Sequence, residues 1–112
     1  MTVKELVVLE QVAFDLRQGK LFYDDNQEGI GDYFFDRIIA DIESLRLYAG
    51  IHSRQFGLYL MLAKRFPFAI YYDVSEAAII VIAVLDLRRN PTWLRKQLNR
   101  TNKPKSKPKL CA

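Results

Sequence analysis

The sequence predicts an α+β domain of order β-α-α-β-β-β with a short C-terminal helix, its two longer helices packed on one face of a small, mainly antiparallel sheet. Three observations predict this class. Between Phe34 and Leu45 apolar residues recur at three- and four-residue steps, which is the helical period. From Leu58 to Val74 the period drops to two, and Ala77 to Leu85 is then continuously apolar, as in a strand covered on both faces. Half of the 112 residues are apolar, enough to pack the core of one domain.

The elements follow in order. Lys4 to Leu9 is short and β-branched and predicts a first strand. From Glu10 onward Val12, Ala13, Leu16, Lys20, Phe22 and Tyr23 form a helical stripe, which Gly19 weakens by about 1 kcal/mol relative to alanine. Asp24 to Gly29 is a polar turn. The second helix buries Phe34, Phe35, Ile38, Ile39, Ile42 and Leu45, and places Asp32, Asp36, Arg37, Asp41, Glu43 and Arg46 on its polar side. Gly31-Asp32 offers its start, with the aspartate as cap, and Gly50 its left-handed stop.

Leu58, Leu60 and Leu62 alternate with Tyr59, Met61 and Ala63 in one strand; Phe66, Phe68, Ile70, Tyr72 and Val74 mark a second. Ser75-Glu76 turns the chain into the apolar run, so three strands form a meander on which the helices pack. Tyr71 and Tyr72 face opposite sides, one expected in the core and one at the surface. Asn90-Pro91 is a helix start, an asparagine cap followed by proline at the first helical position. Thr92 to Leu98 supplies about two turns anchored by Trp93, Leu94 and Leu98. Residues 1–98 are therefore expected to form the domain and 99–112 a basic, solvated, disordered tail.

The net charge of +4 hides a partition. Residues 1–87 carry 8 basic against 13 acidic side chains, whereas residues 88–112 carry 9 basic and no acidic ones. An acidic body thus ends in a basic segment, which could add nonspecific, salt-dependent affinity for nucleic acid. Several classes are excluded or disfavoured. The apolar run of nine residues is too short to span a bilayer, so no membrane partner is expected. Met1 to Glu5 lacks the charged and apolar regions of a secretory signal. One cysteine, Cys111, and one histidine, His52, make neither an internal disulfide nor a structural zinc site. Gly29-Ile30-Gly31 is no phosphate loop, and no serine sits in a nucleophile elbow. A cytoplasmic domain without cofactor or metal is the expectation.

Three blocks carry a resemblance. Gly31-Asp32-Tyr33-Phe34, Ala40-Asp41-Ile42 and Leu47 to His52 resemble the second-helix region of the ParE-like subgroup of the RelE/ParE toxin superfamily. Ala63 to Tyr72 is similar to that superfamily's central strand, and Val84 to Pro91 with Trp93 to its closing motif. The resemblance spans roughly residues 3–98, with the blocks in the family's order. It implies the toxin of a bacterial type II toxin–antitoxin system, of the kind linked to plasmid stabilisation and growth regulation, neutralised by a cognate antitoxin protein. RelE-like members cleave mRNA on the ribosome; ParE-like members inhibit DNA gyrase.

A metal-free ribonuclease must take a proton from the 2′-hydroxyl, neutralise the phosphorane and protonate the leaving oxygen. The resemblance implies that RelE-like members use a lysine pair, an arginine on the next strand, a further arginine at the end of the last strand, and a C-terminal tyrosine or histidine. Those positions align with Leu60 and Leu62, Ala69, Arg88 or Arg89, and the region of Trp93. Leucine and alanine transfer no proton and stabilise no anion, and each missing donor costs roughly 3 kcal/mol of transition-state stabilisation. The sequence therefore argues against an enzyme, leaving Arg88 and Arg89 as the sole catalytic candidates. Lys64, Arg65, Arg88, Arg89, Trp93 and Arg95 are the candidate contacts for target or antitoxin, although Asp86 lies close enough to pair with one arginine. His52 is expected in a loop without a catalytic role. A gyrase inhibitor is the favoured reading. A ribosome-dependent endonuclease with an atypical site and a non-toxic antitoxin-binding homologue are the alternatives.

Overall fold

Period-two alternation from Leu58 onward produces the sheet, and the helical stripes before it produce the layer that covers one side. The computed structural model describes residues 4–102, with side chains through residue 99. Its elements are β1 (Glu5–Val8), α1 (Glu10–Asn26), α2 (Ile30–Glu43), α3 (Leu45–Tyr48), β2 (Ser53–Gln55), β3 (Leu58–Leu62), β4 (Phe68–Val74), β5 (Ala78–Asp86) and α4 (Pro91–Asn102). The strand order is β1-β5-β4-β3-β2, with β1 parallel to β5 and every other pair antiparallel. The α+β class, the two long helices and the mainly antiparallel sheet are as the sequence predicts. Residues 103–112 of the expected tail lie outside the described residues.

Strand alternation builds two cores. On one face Val12 and Leu16 of α1 and Phe34, Ile38 and Ile42 of α2 pack on Phe68, Ile70, Tyr72, Val81 and Val84. On the other, Leu94 and Leu98 of α4 pack on Ala69, Tyr71, Ala83 and Leu85. The terminal helix therefore covers the face opposite α1 and α2. For that reason Tyr71 and Tyr72 are both fully buried, correcting the expectation of one at the surface. In β5, Ala83 pairs with Tyr71 and Val81 with Tyr72, so Ile82 has no partner and forms a bulge. The bulge turns Ile82 and Ala83 to the same face, letting one continuous apolar run serve both cores.

Several local details differ from the expectation. Asp32 does not cap α2. Gly29 stands before the helix with φ 91°, and the Gly31 N–H donates instead to Asp24 Oδ1 at 2.7 Å. Asp32 pairs with Lys20 at 3.1 Å. The predicted long helix breaks at Ser44, whose Oγ donates to the Asp41 carbonyl at 2.6 Å, a local bond that competes with helix continuation. Gly50 does take a left-handed conformation, φ 97°. Strand β2 had no sequence signal. It joins β3 through Phe56 and Gly57, both at positive φ (58° and 81°), as a tight two-residue hairpin requires. Phenylalanine at the first of those positions disguises the turn. Asn90 caps α4 as expected, its Oδ1 accepting the Trp93 N–H at 2.8 Å, and the helix runs on past Leu98 to Asn102.

Candidate functional site

The β3–β4 turn and the β5–α4 junction meet at one end of the sheet. Phe68 pairs with Asp86, and the Leu87 N–H donates to the Pro67 carbonyl at 2.9 Å. Lys64 and Arg65 on the turn and Arg88, Arg89 and Trp93 at the junction therefore lie at the same end of the sheet, with no hydrogen bond or ion pair between the two sets among the described residues. Arg95 is not part of the group. Its guanidinium lies 5.4 Å from the ring of Phe56, in the hairpin at the other end of the sheet.

The paired arginines have different roles. Arg88 grips Asp86 in a two-bond fork, Nε to Oδ1 at 2.9 Å and Nη2 to Oδ2 at 2.8 Å, and reaches the Tyr23 hydroxyl at 3.4 Å. Burial pushes the Asp86 carboxyl up, but the hydrogen bonds and charge of Arg88 together outweigh it and leave the carboxyl below its usual value. The same contacts raise Arg88, with the hydrogen bond to Asp86 the largest cause. Arg88 is thus a structural clasp between β5 and α1. Arg89 has no carboxylate partner among the described residues and lies 4.0 Å from the centre of the Trp93 ring.

Arg89 and Trp93 form one wall of a groove of about 540 Å³, with Phe14, Gln18 and Phe22 of α1 as the other. The groove exists because β1 is short: it pairs with β5 only as far as Val81, leaving the following edge of β5 uncovered by a strand. There Asp15, 7% exposed, accepts the Val84 N–H at 3.1 Å, standing in for the missing strand carbonyl. Asp15 interrupts the apolar stripe between Val12 and Leu16, the one sequence signal that could have marked it.

Lys64 faces elsewhere. Its backbone N–H donates to the buried Asp41 carboxylate at 3.1 Å, correcting the placement of Asp41 on the polar side of its helix. Lys64 lines a second cavity of about 590 Å³ together with His52, Tyr48, Ile51 and Leu62. His52 Nδ1 lies 2.6 Å from the Tyr72 hydroxyl, which also accepts the Gly50 N–H at 2.9 Å. Burial lowers the His52 pKa, which favours the neutral imidazole beside the Tyr72 hydroxyl.

The positions aligned with RelE-type catalytic groups form no polar site. Ala69 is buried under α4 and Leu60 packs against the same apolar cluster. Leu62 is solvent-exposed, and Arg88 is committed to Asp86. Arg89, the other aligned position, faces the groove beside Trp93. Among the described residues no helix is long and apolar enough to cross a membrane.

No family model matches the chain, and no curated protein matches it. Seven solved chains do match. Among them is a chain from the structure described as "Chromosomal ParDE TA system from P. aeruginosa", with TM-score 0.70 and 18% identity, over 76% of this chain and 97% of that one. The two chains share a fold across nearly the whole of the other's length.

Proposed function

We propose that this chain is the toxin of a toxin–antitoxin pair, that it arrests growth by binding DNA gyrase, and that a cognate antitoxin silences it. The fold shared with a chain of a ParDE system supports the toxin assignment, as do the three sequence blocks. One observation carries the choice of gyrase over RNA. Where a RelE-like ribonuclease needs lysines and an arginine, this chain holds Leu60, Leu62 and Ala69, with Ala69 fully buried in the apolar cluster that α4 completes. Inhibition by contact needs no proton transfer, only a complementary surface. Arg89 on Trp93, flanked by the exposed Phe14 and Phe22, is the combination of cation and aromatic residues that protein contacts favour. The test is a supercoiling assay with purified protein beside a translation reaction that reports mRNA cleavage. Inhibited supercoiling with intact mRNA is expected; cut mRNA with untouched supercoiling overturns the reading.

A further inference from the structure

The outer edge of β3 is left partly uncovered by β2. Strand β2 stops at Ser53, which pairs with Leu60, while β3 continues to Leu62. Ladder groups alternate between the two sides of a strand. The Ala63 N–H donates to Phe68 on the β4 side, so the N–H and C=O of Leu62 point the other way, to the side where β2 has ended. Extending the β2–β3 register would set Ile51 opposite Leu62, but the chain joins the ladder only at Ser53, so that pair does not form.

The gap is apolar and open. Ile51 is 72% exposed, Leu62 60% and Tyr48 52%, and all three line the cavity of about 590 Å³; the preceding Leu47 is 80% exposed. Single exposed leucines are ordinary on a protein surface, but a cluster around one depression beside an unpaired strand edge is not. The charge at the rim is one-sided. Asp41, the carboxylate of the cavity, is buried against the Lys64 backbone, whereas the Lys64 side chain has no carboxylate partner among the described residues. A second copy of this chain would bring another Lys64 to the strip and no free carboxylate from it. A partner bearing carboxylates is complementary.

We propose that this strip docks an extended segment of a protein partner, which pairs with the Leu62 backbone, packs apolar side chains on Ile51 and Leu62, and places a carboxylate on Lys64. It rests on the preceding section only in identifying that partner with the antitoxin.

The test follows amide proton–nitrogen correlation spectra of the full chain during titration with a synthetic peptide alternating valine and glutamate, and with one alternating valine and lysine. Shifts centred on Leu60 to Lys64 and Tyr48 to His52 are expected with the glutamate peptide, with at least roughly tenfold weaker binding of the lysine peptide. Leu62→Asp, at an exposed position and checked for folding by its own spectrum, should weaken the glutamate peptide by about tenfold or more. Equal binding of the two peptides, no shifts, or shifts centred elsewhere overturns the proposal. So do shifts at the strip that grow with protein concentration alone, which would mean a second copy. A failed supercoiling assay leaves these outcomes untouched, so the two readings fail separately.

Discussion

Replacing Gly19 by alanine tests the packing of the two long helices, because sequence and structure predict opposite signs. Helix propensity alone favours alanine at a mid-helix position by about 1 kcal/mol. In the fold, a Cβ at Gly19 would sit 2.5 Å from both Cε2 and Cζ of Phe34. That ring is fully buried and has nowhere to retreat, with ring centroids of Tyr23, Phe66 and Phe68 at 5.2, 5.1 and 4.9 Å. Overpacking of this kind costs about 1–3 kcal/mol. The net expectation is a loss of about 1 kcal/mol, or a fall in Tm of about 4–8 °C for a domain of this size. Urea and thermal unfolding followed by circular dichroism measure it. Trimming the ring in a Gly19→Ala, Phe34→Leu double variant should cost less than the sum of the single changes, since the two sites touch. A Gly19→Ala protein that melts higher than the parent refutes the close approach of α1 and α2.

Two further expectations follow from the arginine corner and the histidine. Arg89→Ala should weaken target inhibition while changing stability by no more than about 1 kcal/mol, the scale of its exposed contact with Trp93; inhibition equal to the parent's removes Arg89 from the contact surface. Burial lowers the folded-state pKa of His52, so its contribution is fully present above the unfolded value of about 6.5 and is lost as pH falls through it. Urea midpoints between about pH 7.5 and pH 5.5 should therefore drop more steeply in the parent than in His52→Gln. Identical slopes would show that the Tyr72 hydrogen bond does not depend on the neutral imidazole.

The parts of the fold legible in the sequence are those whose periodicity is set by burial. Phe34, Ile38 and Ile42 and most of the run from Ala78 to Leu85 landed in the core because each has an apolar pattern that one arrangement buries, whereas Phe35, expected in the same stripe, is 40% exposed at its margin. What was missed depends on contacts between distant segments. The hairpin at Phe56-Gly57 lacks the usual turn residues, and Asp24 replaces Asp32 as the donor's partner at α2 only because the α1–α2 turn brings it back. Tyr71 and Tyr72 are both buried because α4 crosses the far face, which local alternation cannot reveal.

The candidate site was legible as a set of residue types rather than as geometry. Pairing of one arginine with Asp86 could be anticipated from two-residue proximity, and Arg88 does so. That Arg95 lies apart, that Lys64 opens onto a different cavity from Arg89, and that Asp15 plugs a strand edge all follow from chain crossings. The exposed strip at Ile51 and Leu62 exists only because β2 ends at Ser53, a boundary that no sequence signal marks.

Gyrase supercoiling of relaxed plasmid, followed with increasing purified protein, separates inhibition by contact from RNA cleavage. Supercoiling should fall as the protein is added, Arg89→Ala should need more protein for the same effect, and mRNA in a parallel translation reaction should stay whole. Unchanged supercoiling at every concentration, with mRNA cut during translation, would contradict inhibition by contact.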